Sequence, residues 1–82
     1  MESTYEERLE AALAKQLKIE LAERDWDQKD LAGAAGIERA TLNRYMRGHR
    51  SMPMPTFFKI AAALGLEPQD LMERASARAE AE

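Results

Sequence analysis

The most constraining feature of the sequence is a pair of short helical segments that meet at a glycine, in QKDLAGAAGIERATLNRYMRG at residues 28–48. Asp27 is a good N-cap for the first segment, and Asp30 is placed to complete a capping box. Gly36 is expected to end this segment, because glycine adopts left-handed backbone angles at little cost. Ala32 has a side chain small enough to let two helix backbones approach. The pattern therefore predicts a helix-turn-helix.

The second segment is predicted to run from about Arg39 to Met46 and to stop before Gly48. Ile37 and Leu42 have the spacing of a hydrophobic staple around its start. The side chains expected to share the interior of the motif are Leu31, Ala35, Ile37, Leu42 and Tyr45.

Three further helices complete the pattern, with one before the motif and two after it. Thr4 or Ser3 can cap the first, followed by Leu9, Leu13, Leu17 and Leu21 at four-residue spacing. Pro55 suits the first turn of the fourth helix, which Gly65 should end. Its apolar residues, which we expect at the centre of the core, are Phe57, Phe58, Ile60, Ala61 and Leu64.

Pro68 is predicted to open the fifth helix. Beyond Arg74 the tail ASARAEAE has no apparent apolar face, so we expect it to fray unless a partner holds it. The predicted fold is all-α, a compact five-helix bundle. It comprises one domain over residues 1–74 and a charged tail over residues 75–82, frayed or held by a partner.

Composition argues against several classes of function. The 82 residues include no cysteine and a single histidine, which leaves no disulfide framework and no zinc constellation. The longest apolar run, at residues 60–66, is too short to cross a bilayer, and the amino terminus is acidic where a signal peptide would be basic. No nucleophile with a base and no phosphate loop is apparent. We therefore expect a cytoplasmic, soluble, non-enzymatic protein with no metal and no cofactor.

The charge is unevenly distributed along the chain, whose formal net charge is -3. Residues 1–38 carry ten acids and five bases, residues 39–66 carry five bases and no acid, and residues 67–82 carry five acids and two bases. A basic segment with acidic flanks is typical of one face that meets an anionic partner. A merely solvated, arginine-rich helix face is the alternative, and charge alone does not separate the two.

The motif, together with FFKIAAALGL after it, resembles the lambda-repressor-like, or Xre/Cro-type, helix-turn-helix family. The resemblance extends from about Leu13 to Leu71. The matching positions are Leu31, Ala32, Gly36, Ile37, Leu42, Gly48, Ala61, Leu64 and Gly65. The resemblance implies a DNA-binding domain that is commonly dimeric on a palindromic operator, with its third helix in the major groove.

By the same resemblance, specific positions of this chain contact double-stranded DNA. Those implied to read bases are Arg39, Ala40, Thr41, Asn43 and Arg44. Those implied to contact the DNA backbone are Gln28, Lys29, Arg47, His49, Arg50 and Ser51. An arginine can donate two hydrogen bonds to guanine, an alanine can contact a thymine methyl, and an asparagine can pair with adenine. Exposed arginines that are only solvated are the structural alternative.

The resemblance implies a sequence-specific transcriptional regulator, and the leading expectation is a repressor that binds as a homodimer. When bound, it would be associated with the nucleoid. The alternative is an antitoxin or another protein-binding module, with promoter binding secondary and a protein partner held by the fifth helix and the tail. We expect the dimer contact to involve the fifth helix and the tail rather than the first helix, because so small a core cannot fully cover Leu71 and Met72. Glu73 and Arg74 could then pair across the two-fold axis.

Overall fold

A computed structural model describes residues 4–48 and 50–81 of the chain. These residues form five α-helices and no strand, which confirms the predicted all-α fold. The helices are α1 (Tyr5–Arg24), α2 (Gln28–Ala35), α3 (Arg39–Met46), α4 (Met54–Ala63) and α5 (Pro68–Ala81). In the described part of the chain, no helix has the length and apolar character needed to span a membrane.

Local capping explains where α1 begins and ends. The Glu7 N–H donates to Thr4 Oγ1 at 3.1 Å and the Thr4 N–H donates to Glu7 Oε1 at 3.2 Å, so the predicted capping box is formed. Ser3, the alternative cap, lies outside the described residues. At the other end, Asp25 has a φ of 56°, in the left-handed region that aspartate tolerates better than most residues. This residue turns the chain toward α2.

The core lies where α1 packs along α5 and α2 packs against α3 and α4. Each helix contributes at least one side chain with no exposed surface, because its apolar residues recur at helical spacing. These fully buried side chains include Leu17, Leu31, Leu42, Ile60 and Leu71. The first-helix leucine stripe is confirmed at Leu13, Leu17 and Leu21, while Leu9 is partly buried.

The prediction that Phe58 belongs to the core is wrong, because half of its surface (50%) is exposed. At about 100° per residue, the buried residues Phe57, Ile60 and Ala61 share one side of α4, and Phe58 points outside that arc. Phe57 faces inward and is buried. Phe58 therefore lies on the outer surface of α4.

The expected fraying after Arg74 is not seen, since α5 continues to Ala81. Ala75 has no exposed surface and Ala79 has 4%. Together with Leu71 they recur every four residues and form a narrow apolar face. Because α5 packs along α1, these small side chains are buried by the close approach of the two helices. Residues 75–81 are therefore a continuation of the fifth helix.

Two of the arguments for the expected fifth-helix dimer contact, those from Leu71 and from Arg74, need correction. Leu71 is fully buried within the monomer, and Met72 is half-buried against the core. The Arg74 guanidinium lies 2.7 Å from the carboxylate of Glu20 in the same chain. Leu71 is therefore not accessible to a second subunit, and Arg74 already has an ionic partner within its own chain.

A polar cluster formed by Gln16, Glu20, Arg24, Arg74 and Arg78 joins α1 to α5. Glu20 has no exposed surface, and its carboxylate accepts hydrogen bonds from Gln16 (2.7 Å), Arg24 (2.8 Å) and Arg74 (2.7 Å). Arg78 Nε donates to Gln16 Oε1 at 3.1 Å. Burial raises the pKa of Glu20, but the hydrogen bonds from Arg74, Gln16 and Arg24 outweigh it, and the net pKa lies below its ordinary value.

The same cluster reaches the end of α4. Arg24 Nη2 donates to the carbonyl oxygen of Leu64 at 2.8 Å, and Leu64 is the C-cap residue of that helix. The last carbonyls of a helix have no partner within the helix and carry partial negative charge, so an arginine is a favourable partner. The cluster therefore links α1, α4 and α5.

Candidate nucleic-acid interface

The turn between α2 and α3 is fixed by Gly36, whose φ is 69° and ψ is 36°. The N–H of Ile37 donates to the carbonyl of Ala32 at 3.0 Å, and the N–H of Gly36 donates to the carbonyl of Gly33 at 3.4 Å. These bonds satisfy the last carbonyls of α2, as in a Schellman motif. The turn predicted from the sequence is present, and it sets the direction in which α3 leaves α2.

The inner faces of α2 and α3 are both buried, which holds the two helices together. The buried residues are Leu31, Ala32 and Ala35 of α2, and Leu42, Tyr45 and Met46 of α3. Ile37, in the turn, packs against the same core. Because three side chains of α3 point inward over only eight residues, its opposite face is held outward.

Successive residues of α3 point about 100° apart, which assigns each remaining residue to a part of the outer face. Ala40 and Arg44 lie near the centre of this face, opposite Leu42, and both are exposed. Arg39 and Asn43 lie along one flank. Thr41 lies on the other flank and is half-buried.

The flank that carries Arg39 and Asn43 faces the beginning of α2. Asn43 Nδ2 donates to Gln28 Oε1 at 3.0 Å, so two residues implied to touch DNA are in direct contact. Asp27 caps α2, accepting from the Asp30 N–H at 2.9 Å. This backbone hydrogen bond is the main cause that lowers the pKa of Asp27, and the nearby positive charge of Arg39 lowers it further.

The C-terminal end of α3 positions a second group of cations. Gly48 has a φ of 74° and its N–H donates to the carbonyl of Tyr45 at 3.1 Å, which turns the chain sharply after Arg47. The guanidinium of Arg50 then lies over the ring of Tyr45, 5.9 Å from its centroid. The buried tyrosine therefore holds Arg50 near the end of α3.

The remaining implied contact residues surround this surface. Arg47, Arg50 and Ser51 are exposed at the end of α3 and in the following loop, and Lys29 is exposed on α2. His49 lies outside the described residues. Glu38, the N-cap residue of α3, is exposed and makes no side-chain capping bond.

The charge of the surface follows from the sequence, because residues 39–66 contain no acid. Arg39, Arg44, Arg47 and Arg50 are all exposed. Four guanidinium groups on and beside one outward-facing helix can bind phosphates and can donate paired hydrogen bonds to a planar base edge. The surface therefore has the donors required for a nucleic-acid ligand.

Sequence reasoning missed three relationships at this surface. These are the contact of Gln28 with Asn43, the effect of the Arg39 charge on the pKa of Asp27, and the position of Arg50 over the ring of Tyr45. Each joins residues in different elements. For the contact between Gln28 and Asn43, the only signal in the sequence was that both residues are polar and lie on neighbouring helices of the motif. Nothing in the spacing of residues indicated the other two.

Comparison with known proteins agrees with this geometry. The family model for the Cro/C1-type HTH DNA-binding domain matches residues 16–76, which include α2, α3, α4 and most of α5. No match was found among the curated proteins or among the solved structures. Since the matched residues make up well over half of the chain and contain the whole helix-turn-helix, the chain belongs to the Cro/C1-type helix-turn-helix DNA-binding domain family.

Proposed function

We propose that this DNA-binding transcription regulator is a repressor that inserts α3 into the major groove of a palindromic operator. The observation that carries the proposal is the outer face of α3, which presents Arg44 and Ala40 at its centre within a stretch of sequence that has no acid. A major groove accommodates one α-helix and displays a distinct pattern of donors and acceptors for each base pair.

Arg44 is the principal base-reading residue in this proposal, because it is exposed and lies at the centre of the outer face. Ala40, one turn earlier, is small enough to lie against a thymine methyl group. Arg39 and Asn43 read bases from the flank nearest α2, and Thr41 does so from the opposite flank.

The DNA backbone is contacted at both ends of α3. Gln28 and Lys29, at the start of α2, approach one phosphate with their side chains. Arg47, Arg50 and Ser51 approach another phosphate, and His49 is assigned to the same contact from the sequence. Such contacts fix the register of the protein on the duplex without reading its sequence.

The repressor acts as a two-fold dimer in this proposal. A single eight-residue recognition helix reads only a few base pairs, whereas a dimer doubles the site. The two half-sites then lie about 34 Å, one helical turn, apart. The dimer contact does not use Leu71 or Arg74, which are both engaged within the monomer.

Selection of bound sites from a random pool of duplex DNA tests the proposal. We expect a palindromic consensus with guanines at the positions that Arg44 reads, and a dimer by sedimentation on the selected site. A promoter reporter that overlaps this site should fall in expression when the protein is present. A non-palindromic consensus would contradict the dimer, and increased expression would contradict the repressor.

A further inference from the structure

Two adjoining cavities lie along α1 between Glu6 and Leu17, on the surface that α1 forms with α4, with α5 and with the loop after α3. Their volumes are about 320 Å³ and 280 Å³, and both are lined by Glu10, Leu13 and Met52. The first extends to Tyr45 and Arg50, and the second extends to Met54 and Met72. Because they share three lining residues, they form one elongated depression, which we call the α1 groove.

The floor of the α1 groove is apolar. Leu13 and Phe57 belong to the core, while Leu9, Met52 and Met72 are only half-buried against it. Met54, at one edge, has 60% of its surface exposed. Methionine side chains are flexible and polarizable, and they adapt to the shape of an apolar partner. The groove therefore offers a continuous apolar surface with an adaptable edge.

The rim of the groove is acidic. Among the described residues that line the second cavity, the charged ones are Glu6 and Glu10, and Glu7 joins Glu10 at the first cavity. The only described cation lining either cavity is Arg50, at the far end, where it already lies over the ring of Tyr45. An occupant with cations beside an apolar face would therefore be complementary in charge along the first turns of α1.

The length of the groove limits the length of the occupant. Its lining residues on α1 run from Glu6 to Leu17, which at ~1.5 Å per residue corresponds to roughly 16 Å. An α-helix of about three turns has this length, and apolar residues at i, i+3, i+4 and i+7 place a single apolar stripe along it.

We propose that the α1 groove binds an amphipathic helix of a partner protein, with its apolar stripe on Leu9, Met52 and Met54 and lysine or arginine residues facing Glu6 and Glu10. This is the helix-in-groove mode of recognition. Among the described residues, the α1 groove shares only Arg50, at its far end, with the surface assigned to DNA. None of the residues assigned to the partner helix belongs to that surface, so the proposal does not depend on DNA binding by α3.

The test uses the full chain and a synthetic probe, an end-capped helical peptide of leucine and lysine with leucines at i, i+3, i+4 and i+7. Binding is measured by calorimetry, and the groove is located by amide chemical-shift changes. We expect changes concentrated at residues 6–13, 52–54 and 72. A peptide of the same composition in shuffled order, and one with glutamate in place of lysine, should bind at least about tenfold more weakly.

Two matched pairs of variants separate the groove from general effects. Glu10→Lys and Glu23→Lys change the net charge of the protein by the same amount, and both residues are exposed on α1. Only Glu10 lines the groove. Met54→Gln and Phe58→Gln each remove an exposed apolar side chain from α4, but only Met54 lines it. We expect about fivefold weaker binding for Glu10→Lys and Met54→Gln, and less than about twofold for their controls.

Equal weakening by Glu10→Lys and Glu23→Lys would overturn the proposal, because attraction would then depend on net charge alone. Equal binding of the shuffled peptide would also overturn it. If Met54→Gln changes the self-association of the free protein by sedimentation while the peptide shows no binding, the groove is occupied by a second copy of the chain and the partner-helix proposal is wrong.

Discussion

The carboxylate of Glu20 accepts a 2.7 Å hydrogen bond from the guanidinium of Arg74, although 54 residues separate them in the sequence. Glu20 is completely buried, whereas Arg74 keeps 46% of its side chain exposed. Arg24, a second partner of the carboxylate, also bonds the end of α4. The contact therefore fixes α5 against α1, and with it the core on which the helix-turn-helix is built.

Replacing Glu20 with glutamine should lower the free energy of unfolding by about 2–3 kcal/mol, because a buried ionic contact loses one partner. The loss stays moderate because Arg74 and Arg24 are partly exposed and water can solvate them. Urea unfolding followed by circular dichroism measures the change. Glu23→Gln, on the exposed surface of the same helix, should stay within roughly 0.5 kcal/mol of the parent. Equal effects would contradict the role of the buried cluster.

The low pKa of Glu20 predicts a specific response to acid. Because the pKa is lower in the folded than in the unfolded chain, the unfolded state binds more protons as the pH falls. The stabilisation is complete above the unfolded-state pKa, about 4.3, and is lost as the pH falls through the folded-state value. The difference in unfolding free energy between the parent and Glu20→Gln should therefore shrink from pH 7 to pH 3. A difference independent of pH would contradict this.

The C-terminal part of α5 should contribute measurably to stability. Removing residues 75–82 deletes the buried Ala75 and Ala79 and the bond from Arg78 to Gln16. We expect a loss of about 2 kcal/mol from these contacts, or roughly 10 °C in Tm. Deleting only residues 81–82 is the control and should change Tm by little. If the longer deletion leaves Tm unchanged, this segment is frayed, as the sequence alone suggested.

Two glycines of the helix-turn-helix should respond oppositely to alanine. At neither position does an added Cβ have a neighbouring atom within 4 Å, so the two glycines differ only in their backbone conformation. Gly33 lies within α2, where alanine should raise stability by about 0.5–1 kcal/mol. Gly36 has a φ of 69°, where alanine should lower stability by about 1–2 kcal/mol. Thermal unfolding of the two variants checks both signs, and a stabilising Gly36→Ala would contradict the left-handed turn.

Local signals account for what the sequence predicted well. The capping box at Thr4, the cap at Asp27 and the turn at Gly36 each depend on residues no more than five positions apart. Caps and turns of this kind can be identified from residue type and spacing alone. For that reason the start of α1 and both ends of α2 were predicted closely.

The features that the sequence did not predict depend on contacts between residues far apart in the chain. Glu20 follows Leu17 by three residues on the buried side of α1, but its partner Arg74 is identified only once α1 and α5 are packed together. Ala75 and Ala79 carry too little apolar surface to stand out in a pattern, and they are buried because α5 approaches α1 closely. The site shows the same limit, since Arg50 meets Tyr45 only after the turn at Gly48.

Arg44 and Arg50 should affect DNA binding in different ways, because one lies on the outer face of α3 and the other in the loop beyond it. Arg44→Ala should weaken binding to the selected site by ~1–3 kcal/mol and relax preference at one base position. Arg50→Ala should weaken binding about equally on all sequences. It should also reduce the slope of log affinity against log salt by about 0.9, since one fewer counterion is released.

Fluorescence anisotropy titrations at several salt concentrations, on the selected site and on a scrambled duplex, measure both effects. Both arginines are exposed, so the thermal unfolding of each variant should remain close to that of the parent, which provides the control for folding. Two results would assign the roles in reverse. One is an equal loss on both duplexes for Arg44→Ala. The other is a loss of sequence preference with an unchanged salt slope for Arg50→Ala, which would place the loop against base edges and α3 against the phosphates.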